Sequence, residues 1–431
     1  MVAKKSSKKP AGKARRGKAS VTAKASTAAA GGFVFANPKP SPDDYGNFSK
    51  ADVFADSNVK ASTAILPIPK SWRQPEVLDL AQVLSAAEIQ QIQAAKSIVF
   101  HTVGDSGGIK EPSKQFAVAD AMAADLQGKT YQNGLPAFFY HLGDVVYYLG
   151  QERYYYDQYY DPYRDYDAPI FAIPGNHDGV VSPSLPQKSL DGFYDNFCTK
   201  TPGHNSEAQG FARTTMTQPG VYFTLNAPLV KIIGLYSNIS EGATEGVISG
   251  GVVGTAQLTF LQQQLKAAAQ ERAGGNRRAL IIAVHHPPFT GSQDHAPSPK
   301  MLTDIDAACQ QAGILPDLVL SGHAHLYERY TRFMGNTQIP FLVLGTGGYF
   351  NLSGFKKNSA GALPKLPFIG NDAKGNKLRL DALNENSFGF MRLSVSASTV
   401  TGQFLGVNVN TKGAPTLVDH FTLDLNQHTV S

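Results

Sequence analysis

The run Ser97-Ile98-Val99-Phe100-His101-Thr102-Val103 stops on Gly104-Asp105, and this pattern repeats along the chain. A short, mostly apolar run ending on a turn-forming pair reads as a strand followed by a polar loop. A helical stretch over Ser113–Leu126 follows, and a second apolar run, Ala137–Leu142, stops on Gly143-Asp144. A third, Pro169–Ile173, leads to Gly175-Asn176-His177-Asp178. After a long insertion come a helix over Thr255–Arg272, a strand over Ala279–Val284 and then His285-His286-Pro287. A helix over Met301–Ala312 and a strand over Asp317–Leu320 lead to Gly322-His323-Ala324-His325. Strands and helices alternating at this spacing predict a layered α/β fold. Each polar cluster lies just beyond the C-terminal end of a strand, where open α/β sheets place their ligands. All five are therefore expected along one edge of the sheet. Gly389–Val395, Gly402–Val407 and Leu417–Leu425 read as strands of a second sheet, and Leu78–Lys96, upstream, reads as a helix.

The charge is uneven. The chain has 39 Lys and Arg against 34 Asp and Glu, net +5, but ten basic and no acidic residues fall within 1–42. That leaves 29 basic against 34 acidic, a body near −5, which argues against a specific nucleic-acid-binding body. The tail, rich in Lys, Ala and Ser, cannot bury enough apolar surface to offset the entropy of ordering and is expected to be disordered. It lacks the continuous apolar core of a secretory signal. A solvated tail is favoured over an export signal, an organelle transit peptide or an arm that contacts polyanions. The expected location is cytoplasmic, with export or an organelle as the alternative if the basic N-terminus is an address. Two cysteines, Cys198 and Cys309, exclude a disulfide framework and a cysteine-rich zinc site. No run approaches the length of a transmembrane segment. At 42% hydrophobic and 10% aromatic, the body can bury a large core.

The five clusters supply Asp105, Asp144, Tyr147, Asn176, His177, His285, His323 and His325. Singly, a Gly-Asp after a strand is an ordinary turn, and a lone histidine there is an ordinary hydrogen-bonded core residue. Jointly they offer carboxylates, an amide oxygen and imidazoles but no thiolate, the donor set of Fe, Mn or Zn. The candidate ligands outnumber what one tetrahedral ion needs, and two ions sharing a carboxylate fit the count.

The blocks Gly104-Asp105-Ser106-Gly107, Gly143-Asp144-Val145-Val146-Tyr147, Gly175-Asn176-His177-Asp178, Val284-His285-His286-Pro287 and Gly322-His323-Ala324-His325 resemble the calcineurin-type metallophosphoesterases. Within that group they look like the purple acid phosphatases, as does the continuation Leu326-Tyr327-Glu328-Arg329. The resemblance covers about residues 96–345. It implies two mixed β-sheets packed face to face with helices outside, a catalytic domain over 96–431, and an N-terminal extension over 43–95 beyond the tail. Most members carry a histidine where this chain has Gly107, and the resemblance implies that it is replaced if Tyr147, three residues after Asp144, reaches the same metal as a tyrosinate; the alternative is that Tyr147 packs with the tyrosine-rich stretch Tyr147–Tyr166. The resemblance then assigns Asp105, Tyr147 and His325 to a first metal, and Asn176, His285 and His323 to a second, with Asp144 bridging. Fe(III) is implied at the tyrosinate, and Fe, Zn or Mn at the other position. Two such ions roughly 3.5–4 Å apart clamp a phosphate and lower the pKa of bound water. The implied activity is hydrolysis of small phosphomonoesters by a metal-bound hydroxide. A phosphodiesterase or nucleotidase of the same fold is the alternative, and a catalytically silent polyanion-binding protein a more distant one.

His177 and His295 are the candidate proton donors or phosphate contacts. His286, next to a ligand, is expected to point away from the metals, and His101, His141 and His204 to be packing or loop residues. Asp178 is expected to orient its neighbour. Gly345-Thr346-Gly347-Gly348 lacks a P-loop lysine and reads as a close backbone approach to the metal site. Gly242–Gly254 reads as a mobile loop.

Overall fold

The computed structural model describes residues 67–181, 186–208, 210–238, 246–411 and 413–431. The basic tail over 1–42 and residues 43–66 of the extension lie outside them. In chain order the first eight strands are β1 (Val77–Asp79), β2 (Ser97–Val103), β3 (Pro136–His141), β4 (Ile170–Ala172), β5 (Phe223–Ala227), β6 (Val230–Leu235), β7 (Ala279–Val284) and β8 (Leu318–Ser321). The others are β9 (Tyr327–Met334), β10 (Thr337–Leu344), β11 (Phe368–Asn371), β12 (Lys377–Asn384), β13 (Phe388–Ser396), β14 (Thr399–Val407), β15 (Thr416–Asp424) and β16 (Thr429–Val430). They form two mixed sheets, ordered β1-β5-β6-β7-β8-β10-β9-β12-β11 and β16-β15-β14-β13-β2-β3-β4. The helices are α1 (Ala86–Ala95), α2 (Pro112–Leu126), α3 (Asn176–Gly179), α4 (Asp191–Phe197), α5 (Ala256–Ala273) and α6 (Pro299–Ala312).

The two-residue period of the strands divides the apolar residues between two cores. Ile98, Phe100, Phe138, Tyr140, Ile281, Ala283, Leu318 and Leu320 face into the space between the sheets. Val103, Phe139, Leu280, Ile282 and Val284 face outward and pack with helix residues such as Val118, Met122, Leu261, Leu265 and Ile305. Strands covered on both sides read as continuous apolar runs, which is why β2, β3 and β7 stand out in the sequence. Helix α6 follows its local signals: Ser298 accepts from the Met301 amide, Pro299 opens the helix, and Gly313 closes it with φ 67°.

Two sequence expectations need correction. Leu78–Lys96 is not one helix. Val77–Asp79 pairs in parallel with β5, so this part of the extension is an edge of the nine-stranded sheet. The helix starts only at the Ser85/Glu88 capping box; Leu78 and Leu80 are spent on the inter-sheet core instead. Nor do the five polar clusters share one sheet. Three follow β2, β3 and β4 of the seven-stranded sheet, and two follow β7 and β8 of the nine-stranded sheet. The site lies where the C-terminal ends of both sheets meet. Of the expected mobile loop 242–254, residues 242–245 lie outside the description, while Val247 pairs with Asn238 and Gly246 accepts from the Ser298 hydroxyl at 2.5 Å. Cys198 and Cys309 are buried and unbonded to each other.

Candidate metal centre

Asp105, Asp144 and His323 all leave their strands with positive φ, 58°, 52° and 66°. Non-glycine residues in this region carry backbone strain of about 1–3 kcal/mol each, and such residues cluster at functional sites. Here the turns swing the side chains inward. The phenol of Tyr147 donates to Asp105 Oδ1 at 3.0 Å and lies 3.3 Å from His325 Nε2, which is 3.4 Å from the same carboxylate oxygen. Donors about 2.1 Å from one ion lie about 3.0 Å apart at right angles and about 3.4 Å apart at the tetrahedral angle. This triangle has those edges. The Tyr147 ring also closes the position beside Gly107: a Cβ there would sit 2.7 Å from Tyr147 Cδ2 and 2.5 Å from Gln158 Oε1. A histidine at 107 and a tyrosine at 147 compete for one space.

The second group forms around His285. Its Nδ1 lies 2.8 Å from the Leu142 carbonyl, which makes Nδ1 the donor and turns Nε2 to the site. Nε2 lies 3.3 Å from Asp144 Oδ2 and 3.1 Å from Asn176 Oδ1. His323 completes the group, its ligand atom and those of Asp144 and His285 all within 4.8 Å of one another. Burial opposes charge on His285, yet Asp144 and Asp105 overrule it and push its pKa up to about 9. Asp144 is pulled the other way: burial resists its ionisation, but His285 and His177 hold it below the usual carboxylate range. Buried carboxylates among imidazoles need compensating positive charge. A metal cation supplies it and leaves the imidazoles neutral to ligate, so the donor set fits metal ions.

His177 donates its backbone N–H to Asp144 Oδ1 at 2.9 Å and its Nδ1 lies 2.7 Å from the Tyr148 carbonyl. His295, from a distant loop, reaches the centre: its ring lies 4.4 Å from that of His323 and 5.0 Å from that of His325. Its backbone is held by Ser292 Oγ at 3.3 Å, and among the described residues its buried Nδ1 has no hydrogen-bond partner. Burial, aided by His325, lowers its pKa to about 3. His286 turns to Ser237 Oγ, 2.9 Å away, with its ring tilted at 43° to that of His323 and 4.1 Å from it. His101 pairs with Asp125 and Tyr166, and His204 lies 3.4 Å from the Ala208 carbonyl, while His141 sits behind the ligand turns, its ring nitrogens 2.7 Å from Ser106 Oγ and 3.2 Å from the Gly143 amide.

Asp178 does more than orient one neighbour. Its carboxylate accepts from the backbone amides of Val145, Val146 and Gly175 at 2.8–3.2 Å, tying the β3 and β4 loops together. Asp178→Ala would strand three buried N–H groups, and at about 1–3 kcal/mol each a loss of at least 3 kcal/mol is expected. Thermal unfolding reads this directly, and Asp178→Asn, which keeps one acceptor, should lose less.

Several residues around the centre escaped the sequence reading. Gln158 grips the Tyr147 backbone at both ends, accepting from its N–H at 2.9 Å and donating to its carbonyl at 2.8 Å. Tyr349 packs its ring 4.3 Å from that of Tyr147 and 4.4 Å from that of His325. The one available signal was its place after Gly345–Gly348, whose close approach the structure bears out: Gly347 donates to the Gly104 carbonyl at 3.0 Å and Tyr349 to that of Asp105 at 2.9 Å.

The family model for calcineurin-like phosphoesterases matches residues 103–327. No curated protein sequence matches the chain. Among solved structures, GAP50, described as the anchor in the inner membrane complex of Plasmodium, superposes with a TM-score of 0.50 at 13% identity, over 76% of this chain and 89% of that one. PhoD gives 0.45 at 12% identity over 78% and 71%, and a putative 5′-nucleotidase from Staphylococcus aureus 0.33 at 14% over 67% and 53%. With just over half of its 431 residues inside the family match, this chain belongs to the calcineurin-like phosphoesterases, a family of metal-dependent phosphoric ester hydrolases.

Proposed function

We propose that the protein is a binuclear metal-dependent phosphomonoesterase of purple acid phosphatase type. Asp105, Tyr147 and His325 would hold the first ion, Asn176, His285 and His323 the second, and Asp144 both. The observation that carries this reading is the exchange at one point in space: Tyr147 fills the room a side chain at Gly107 would need and brings its phenol to Asp105 and His325. Burial, then Asp105 and Asp144, raises the Tyr147 pKa, so the phenol would ionise only with a cation beside it. A phenolate is a hard anionic donor that suits Fe(III), with Fe, Zn or Mn at the second position. When bound, the two ions neutralise phosphate charge and acidify water.

The chain's own groups do the rest. With Nδ1 committed to the Tyr148 carbonyl, His177 has only Nε2 to offer a substrate, and it would pass a proton to the leaving oxygen from that atom. His295, desolvated and neutral, offers a hydrogen bond to a phosphate oxygen. The substrate class is small phosphate esters.

Elemental analysis of the purified protein should find close to two metal ions per chain. Rates on nitrophenyl phosphate should exceed those on its bis ester by roughly tenfold or more. The reverse preference would make it a diesterase of the same fold, and hydrolysis of neither ester would end the enzymatic reading.

A further inference from the structure

Residues 356–371 form an excursion in which nearly every residue is exposed. It holds Lys356, Lys357 and Lys365 and no acidic residue. Leu363, Leu366, Phe368 and Ile369 are 39%, 36%, 54% and 57% exposed, and they are four of the six large apolar side chains this exposed among the described residues. Scattered single apolar residues on a surface are ordinary, but four within seven positions make a patch that marks an interaction site. The next acid along the chain, Asp372, is buried against Arg332 Nε at 2.8 Å and adds no repulsion toward an anion.

The patch has a fixed relation to the metal centre. The Ser353 amide donates to the carbonyl of His325, and the Gln293 amide to Gly354. Lys356 donates its backbone N–H to Gly291, each of these bonds being 2.8 Å. The foot of the excursion is thus stitched to the loop that carries His295. Phe368 and Ile369 open β11, which among the described residues is the last strand of its sheet and pairs with β12 alone. A bare edge strand could recruit another strand, but Pro364, Lys365 and Pro367 just before it are the residues that discourage edge pairing. Lysines that reach for headgroups while apolar tips sink below them suit the boundary of a bilayer. Among the described residues no helix is long and apolar enough to cross one, so the contact would be peripheral.

We propose that residues 356–371 dock the protein on an anionic lipid surface, Phe368 and Ile369 entering the headgroup boundary and Lys356, Lys357 and Lys365 meeting lipid phosphates. The rim of the metal centre is thereby held against that surface.

The test is co-sedimentation of the full chain with phosphatidylcholine vesicles, with and without about one third phosphatidylserine. Wild type should bind the mixed vesicles, bind pure phosphatidylcholine poorly, and weaken as salt rises. The variant Phe368→Ser/Ile369→Ser should lose most binding, and neutralising the three lysines with Gln should cost roughly fivefold per charge. Hydrolysis of a soluble ester should be unchanged in both, because neither set touches the candidate ligands; the binding readout itself does not depend on the reaction proposed above. Failure of wild type to bind would overturn the proposal. So would wild-type binding by both variants, which would assign the affinity to the basic N-terminus. A change in oligomeric state by light scattering with vesicle binding intact would assign the patch to a second copy.

Discussion

Asp144→Asn is expected to lose about a thousandfold in turnover together with at least one equivalent of metal. The substitution isolates charge. Asparagine is nearly the same size and tolerates the left-handed backbone, φ 52°, that Asp144 adopts. It can still accept the His177 amide, now 2.9 Å from Oδ1. What it could not do is neutralise the two cations of the proposed centre, or face His285 as an anion across 3.3 Å. Steady-state rates on nitrophenyl phosphate and elemental analysis of the same preparation check both halves. Wild-type turnover with wild-type metal content would remove the bimetallic account altogether.

Tyr147→Phe should abolish any visible charge-transfer band while leaving the fold in place. Phenylalanine keeps the ring that fills the space over Gly107 and packs against Tyr349 and His177, so shape is preserved. Only the phenol oxygen is lost, and with it one corner of the triangle with Asp105 and His325. Affinity for the first metal should fall by about 10–100-fold or more, since even loss of an outer-shell partner has that cost. A visible spectrum and a metal titration of the variant read this out, with far-ultraviolet circular dichroism as the check on folding. An unchanged spectrum would overturn the proposed iron-tyrosinate site while leaving the protein's place among the calcineurin-like phosphoesterases untouched.

The block structure of the centre was legible because its signals are local. Gly104-Asp105, Gly143-Asp144 and Gly322-His323 each end an apolar run, and the backbone turn, the space for a side chain and the ligand candidate sit within a few residues of one another. The exchange of Gly107 for Tyr147 could be suspected for the same reason, although only packing demonstrates that the two positions compete for one volume. Helix α6 announced its ends through Ser298, Pro299 and Gly313. The break within Leu78–Lys96 had a local signal too, Ser85 with Glu88, but apolar periodicity masked it because Leu78 serves a strand.

The sequence by itself therefore determined the strands and helices that carry the clusters, the donor chemistry and the family resemblance. Tertiary structure decided that the donors come from two sheets, three clusters from one and two from the other. It also decided that His295 lies against His323 and His325, that Tyr349 walls the first triangle, and that Gln158 fixes Tyr147. The physical reason is range. A strand end and its turn depend on φ, ψ and neighbours a few residues away, whereas these contacts depend on how two independently twisted sheets and their loops close over a shared apolar core.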